Sequence, residues 1–392
     1  MLAMVFVNDI AGIRGLPWWM YHMADSAGSA NYDGMTVVDW VFPAFLFVMG
    51  MSVPAALQGR VARGEPAWRI ALHVLLRGGA LILLGFFKIN QTGAIAAIGW
   101  PAGVWNVLMF VCAIATFGSL RSVRGTIIVR GVGAIGLAAL AFVHLRYAGA
   151  MTPKWWDILG IIGWAYLATA MVWAVVRHSR AGMAAAIGML LYLFVLDAQG
   201  WLRGPSIFGF VVSDHLSYGS TIGTHAAVAV AGMLLAGAFL PGSPETDARG
   251  KARFVVSTAA MLFLAALMTY PHFHVNKDNA TPAWAMLSAG ATALLFLGLW
   301  WWVDFRGGVR ASWLLRVAGQ HALLIYLLQS MLYPLMQILA DAFGGKLLWL
   351  VQWHGQLAVQ GPWVGCGRGA GMAVALTLAA WGLSRLGVRL KL

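Results

Sequence analysis

Apolar residues along the 392-residue chain come in long blocks broken by short, mostly basic connections. Twelve blocks stand out, at about 1–13, 36–58, 70–88, 102–120, 125–145, 158–176, 181–197, 221–240, 253–271, 283–303, 312–338 and 368–386. Most approach the roughly 20 apolar residues that a helix needs to cross about 30 Å of hydrocarbon. Helix follows because a backbone in lipid must satisfy its N–H and C=O groups within its own segment. The pattern predicts an all-α, polytopic integral membrane protein with 11–12 transmembrane helices in a single domain over residues 1–392. Block 1–13 is too short to span alone. Met1–Ile10 lacks the basic region and cleavage site of a secretory signal, so the first helix is expected to be truncated at its N-terminus.

Composition agrees: 61% of residues are apolar and 10% charged, and the mean hydropathy is +0.78. These values exclude a water-soluble enzyme and a disordered chain. The net charge of +13 would suggest nucleic acid in a soluble protein. Here the Lys and Arg residues alternate from loop to loop. One set of loops holds sixteen, among them Arg60, Arg63, Arg121, Arg124, Arg177, Arg180, Arg306 and Arg310, and the other holds eight spread over longer loops, Arg14, Lys88, Arg146, Lys154, Arg203, Lys277, Lys346 and Arg368. The positive-inside rule then puts both termini in the cytoplasm and turns the loops around 14–35, 89–101, 147–157, 198–220, 272–282 and 339–367 outward. The basic excess meets lipid headgroups, not nucleic acid. Two cysteines, Cys112 and Cys366, make no disulfide framework or Cys-rich metal site.

Ionisable residues inside or at the ends of spans are costly and point to cavities or partners. Asp9, Asp39, Asp197, His73, Arg77, His225 and His321 are in this position. For the three aspartates, interfacial capping competes with a site role. Gly131-Val-Gly133-Ala-Ile-Gly136 has the form of a dinucleotide fingerprint but lies in an apolar helix, where small residues let helices approach. His272-Phe-His274 has no acidic or Cys partner at ligand spacing, so no metal is expected; these residues, His215 and His354 read as wet loop edges.

The first fifty residues carry the most information. Val7-Asn8-Asp9 closes the first block, His22 follows in a short loop, and Asp33-Gly34-Met35-Thr36-Val37-Val38-Asp39-Trp40-Val41-Phe42-Pro43-Ala44-Phe45-Leu46-Phe47 opens the second. Downstream come Arg77-Gly78-Gly79 through Asn90, Trp105-Asn106-Val107, Ala280-Thr281-Pro282-Ala283-Trp284 and Ala318-Gly319-Gln320-His321 through Tyr326. In this order the motifs resemble bacterial members of the heparan-α-glucosaminide N-acetyltransferase family of transmembrane acyltransferases.

That resemblance implies one acyltransferase domain in a bacterial inner membrane. It would move an acetyl group from cytoplasmic acetyl-CoA to an amino sugar or glycan on the other side. Catalysis would fall to His22, as general base or as acyl carrier, assisted by Asn8. Asp9 or Asp39 would fix the imidazole tautomer. Asn90, Lys277, Trp284, His321 and Tyr326 are the implied substrate-binding residues. Membrane lipids and a second copy of the chain are the implied partners, and acetyl-CoA is a co-substrate with no metal. The sequence departs from the family in an apparent insertion at residues 26–31, in lacking the basic upstream element, and in His321 where relatives commonly carry Asn. A transporter or flippase for a glycan or lipid intermediate is the competing class, with a membrane scaffold third. The absence of a visible repeat counts against transport.

Overall fold

A computed structural model of the chain describes residues 1–28, 32–91, 98–100, 103–120, 122–152, 157–202, 204, 215–343 and 348–390. Residues 29–31 of the apparent insertion, together with Arg121, Lys154, Arg203 and Lys346 of the loop tally, lie outside them. The helices are α1 Leu2–Ile10, α2 Met23–Ala27, α3 Val37–Ala62, α4 Ala67–Ile89, α5 Val104–Phe117, α6 Val123–Ala148, α7 Ile158–Val176, α8 Arg180–Ala198, α9 His225–Ala236, α10 Ala248–Phe273, α11 Pro282–Trp300, α12 Trp313–Gln320, α13 Ala322–Ala342, α14 Leu348–Val359 and α15 Pro362–Arg385. Among the described residues, ten helices are long and apolar enough to cross a membrane, and α5 is a shorter apolar helix. The chain is an all-α polytopic membrane protein.

Two differences from the sequence reading have local causes. The block at 312–338 breaks at His321, which closes α12 and precedes α13 with φ −117° and ψ 24°. The last helix starts at Pro362, six residues earlier than its apolar run suggests, because proline suits the first helical turn. Arg368, taken as a loop charge, therefore lies inside a span.

Contacts divide the chain into two compact units. One comprises Met1–Pro17, Phe86–Pro153 and Val309–Leu392. In it α1 packs on α15, α5 on α6 and α13, and α14 on α13 and α15. Its apolar core joins Val5 to Leu324, Ile325, Ala373 and Leu376. A two-residue antiparallel pair sets Gly118 against Leu390. Gly133 and Gly136 face α5, where a Cβ at Gly133 would lie 2.7 Å from the Cys112 carbonyl. The GxGxxG form is thus a helix contact.

The other unit comprises Trp18–Gly85 and Lys154–Gly308. It is built around α9, in which every residue from His225 to Met233 is buried. Helices α3, α7, α8, α10 and α11 surround it, and a π-helical run Tyr218–Thr224 leads into it. Asp197 fastens this run to the end of α8, accepting from the Ser217 hydroxyl at 2.8 Å and the Gly219 N–H at 2.7 Å. Helices α3 and α9 touch backbone to backbone. A Cβ at Gly50 would overlap the Ala229 carbonyl, and one at Gly232 the Phe47 carbonyl.

That crossing makes a testable demand. Gly232→Ala should cost about 1–3 kcal/mol, because the added methyl must push two helices apart. Gly131→Ala, at a position with open space around it, should leave stability equal or higher. Thermal midpoints of the two variants in detergent check this, and equal midpoints would refute the close crossing.

Candidate functional site

The second unit gathers His22, Asp39 and Lys277. Asp39 is the third residue of α3, where a carboxylate reaches back to the free amides of the first helical turn. Its Oδ2 accepts from the Thr36 N–H at 3.2 Å and from the Met23 N–H at 2.9 Å. Its Oδ1 lies 2.7 Å from His22 Nδ1 and 3.4 Å from Lys277 Nζ. The Asp39 side chain is 1% exposed, that of His22 37%. The capping that the sequence poses for Asp39 is present, and the same carboxylate also holds the His22 ring.

The tautomer follows from these contacts. At 2.7 Å from a carboxylate oxygen, Nδ1 must carry the proton and donate it. In the neutral ring the lone pair then sits on Nε2. Lys277 Nζ also lies 3.0 Å from Nδ1, but a protonated nitrogen cannot accept, so the ammonium hydrogens go to Asp39. His22 itself N-caps α2, and its carbonyl accepts from the Asp25 N–H at 3.1 Å.

Lys277 is brought there by two loops stitched together. The Gly34 N–H donates to the Val275 carbonyl at 2.7 Å, and the Val275 N–H returns to Asp33 Oδ1 at 2.9 Å. The Asn276 amide donates to the Tyr32 carbonyl at 3.1 Å. Thr281, the N-cap of α11 ahead of Pro282, also donates its hydroxyl to the His274 carbonyl. The turn needs a positive φ of 47° at both His274 and Ala280, a strained value for side-chain-bearing residues that these bonds hold in place. Burial pushes the Tyr32 phenol up to about 12, so it stays protonated near neutrality. For Asp33, burial pulls upward, but the Tyr270 hydroxyl, the Val275 N–H and His274 outweigh it and hold the carboxyl below its usual value.

Asn8 and Asp9 occupy the first unit. The Asn8 amide donates to Gln329 at 3.2 Å, and Gln329 donates to the Val5 carbonyl at 3.1 Å, tying α1 to α13. The Asp9 side chain is fully buried against Arg368, with Nε to Oδ2 at 2.9 Å. It also accepts from the Tyr333 hydroxyl. His354 Nε2 lies 3.2 Å from that hydroxyl, and the His354 carbonyl accepts from Arg368 at 3.1 Å. Burial first, then the Arg368 charge, hold His354 below its ordinary value, while Asp9 opposes them. Its side chain is 12% exposed, so the expectation of a wet loop edge is corrected. Arg368, Tyr333 and His354 were not among the sequence candidates because their partner is more than three hundred residues away.

The remaining candidates are dispersed. Asn90 braces a turn, donating to the Phe86 and Thr152 carbonyls and accepting from the Thr152 N–H. The Tyr326 hydroxyl meets Lys88 Nζ at 2.7 Å. Trp284 is fully buried, its ring 5.8 Å from that of His225. His225 donates from Nδ1 to the Ser220 carbonyl at 2.5 Å. His274 faces Asp33 at 3.4 Å and is exposed.

Comparison with known proteins supports a distant family relationship. Residues 1–201 match the family described as "Domain of unknown function (DUF5009)", which is half of the chain, and the chain belongs to that family. It is also 31% identical over 100 residues to heparan-alpha-glucosaminide N-acetyltransferase of Homo sapiens and 29% identical over 100 residues to the Mus musculus protein. Each match covers 26% of this chain and 14% of the relative's length.

Two predictions follow from these geometries. Arg368→Met strands a buried carboxylate and should destabilise the protein by about 3–5 kcal/mol, and adding Asp9→Asn should recover much of that. Thermal midpoints of the two singles and the double check it, additivity being the contrary result. The Asp33 clasp has a lowered carboxyl, so its contribution is complete above the ordinary carboxylate range and is lost as pH falls through and below it. Asp33→Asn should therefore flatten the acid side of the stability profile, and an unchanged profile would contradict the assignment.

Proposed function

We propose that this DUF5009 family member is a membrane-embedded acyltransferase. In this reading it moves an acetyl group from acetyl-CoA, reached from the cytoplasmic side, to an amino sugar or glycan on the opposite side. The observation that carries it is the Asp39–His22 contact of 2.7 Å, which fixes the ring and leaves Nε2 as a lone-pair base on a half-exposed residue. The likeness to a membrane N-acetyltransferase supports the reaction class.

The chemistry balances with the groups present. The acceptor nitrogen or oxygen attacks the thioester carbonyl carbon while its proton passes to His22 Nε2. The resulting imidazolium is stabilised by Asp39, as in other carboxylate-oriented imidazole bases. When the tetrahedral intermediate collapses, the C–S bond breaks and the CoA thiolate leaves with the proton from Nε2. Lys277, whose ammonium faces Asp39 on the Nδ1 side of the ring, helps hold the carboxylate that orients the imidazole. Asn8 enters as an assisting donor through the resemblance, and Asn90, Trp284, His321 and Tyr326 enter as substrate-binding residues on the same basis. Cytoplasmic termini, an inner-membrane location and a homodimer belong to the proposal as well.

Membranes given labelled acetyl-CoA and glucosamine-type acceptors test it. Wild type should transfer label, His22→Ala should abolish transfer, and Asp39→Asn should slow it by about 10²–10⁴ with little change in KM. Undiminished transfer in His22→Ala would overturn the proposal. So would acceptor movement across sealed vesicles without acetyl-CoA.

A further inference from the structure

Two adjoining cavities lie in the second unit, at the end where Arg60, Arg63, Arg177 and Arg180 gather. One, of about 870 Å³, has a mixed polar and apolar lining and runs between Gln58 on α3, the α7–α8 turn and the Pro241–Pro244 segment. The other, of about 790 Å³, is an apolar slot between α4 and α7, lined by Ile70, Val74, Leu75, Leu167 and Met171 among others. Val61, Trp173 and Arg177 line both. Leu75 is 60% and Met171 67% exposed, so the slot opens where a spanning helix bundle meets acyl chains.

The charges around them are unequal in availability. Arg180 is held by Glu245 through two bonds of 2.7 and 2.5 Å. Glu65 is held by Arg60 at 2.6 Å and Arg63 at 2.9 Å. Arg177 meets no carboxylate among the described residues. It lies over the Trp173 ring, and its Nε donates to His178 at 2.9 Å. Trp173, which lines both cavities, is 3% exposed, and its buried indole N–H has no hydrogen-bond partner among the described residues. The first turn of α8, capped by Ser179, adds further backbone donors on the polar side.

We propose that these two cavities together hold one anionic phospholipid, with its phosphate on Arg177, His178 and the α8 terminus and an acyl chain in the slot. Phosphate supplies the anionic partner that Arg177 lacks among the described residues, and the apolar slot needs a long hydrocarbon tail. Coenzyme A also carries phosphates, but an acetyl thioester has a two-carbon tail and no use for the slot. The site shares no residue with His22, Asp39 or Lys277, so it stands whether or not the proposed reaction does.

Full-length protein reconstituted in an equimolar mixture of phosphatidylglycerol and phosphatidylcholine, then extracted gently, tests this by native mass spectrometry. Wild type should retain one lipid, enriched about fivefold in phosphatidylglycerol for a single cationic contact. Arg177→Gln should bring retention to the composition of the mixture, Arg177→Lys should keep most of the enrichment, and Ala174→Trp, which fills the slot, should lose the lipid. Retention without headgroup preference in wild type, preference surviving in Arg177→Gln, or displacement of the lipid by added coenzyme A would each overturn the proposal.

Discussion

A carboxylate in the first turn of a membrane-spanning helix is the constraint on which the site depends. Leaving Asp39 buried without partners would cost several kcal/mol. The chain meets this by converging on it: the Thr36 and Met23 amides, the His22 imidazole and the Lys277 ammonium all face its two oxygens. The segments that bring Thr36 and Lys277, 32–36 and 274–281, are then stitched to each other through Asp33 and Asn276, with Thr281 closing the second. The positioning of the imidazole is a consequence of satisfying the carboxylate.

The first unit solves the same problem differently. Asp9 is as deeply buried, but its main partner is a guanidinium, which holds its proton at any ordinary pH. An Arg–carboxylate pair fixes geometry and offers no movable proton. An imidazole–carboxylate pair fixes geometry and leaves a basic nitrogen on the far side of the ring. Of the two aspartates the sequence offers as partners for His22, Asp39 is the one whose surroundings have the chemistry of proton transfer.

The spans were legible because the length of an apolar run is set by bilayer thickness, whatever packs against it. Asp39 was legible as an ionisable residue at the start of a span and from the motif that contains it. The helix break at His321 was not, since an apolar run long enough to cross carries no periodic mark of an interruption. Arg368 reads as a loop charge from the apolar run alone, but Pro362, suited to a first helical turn, starts the helix six residues earlier. The cluster around Asp9 and the placement of Lys277 join residues hundreds of positions apart. Such pairing depends on which helices pack together, and a single sequence does not encode that in any local pattern. The motif resemblance brought Lys277 into view, but only the loop geometry puts it on Asp39.

The central claim is that Asp39 takes the Nδ1 proton of His22 as a hydrogen bond and leaves Nε2 unprotonated. Solid-state NMR of ring-¹⁵N-histidine protein in bilayers above neutral pH reads this directly, with the His22 signals assigned by their loss in His22→Gln. The account predicts a protonated Nδ1 and a pyridine-like Nε2 for His22, with Asp39→Asn disturbing that pattern. A pyridine-like Nδ1 accepting from Lys277, with the proton on Nε2, would contradict it.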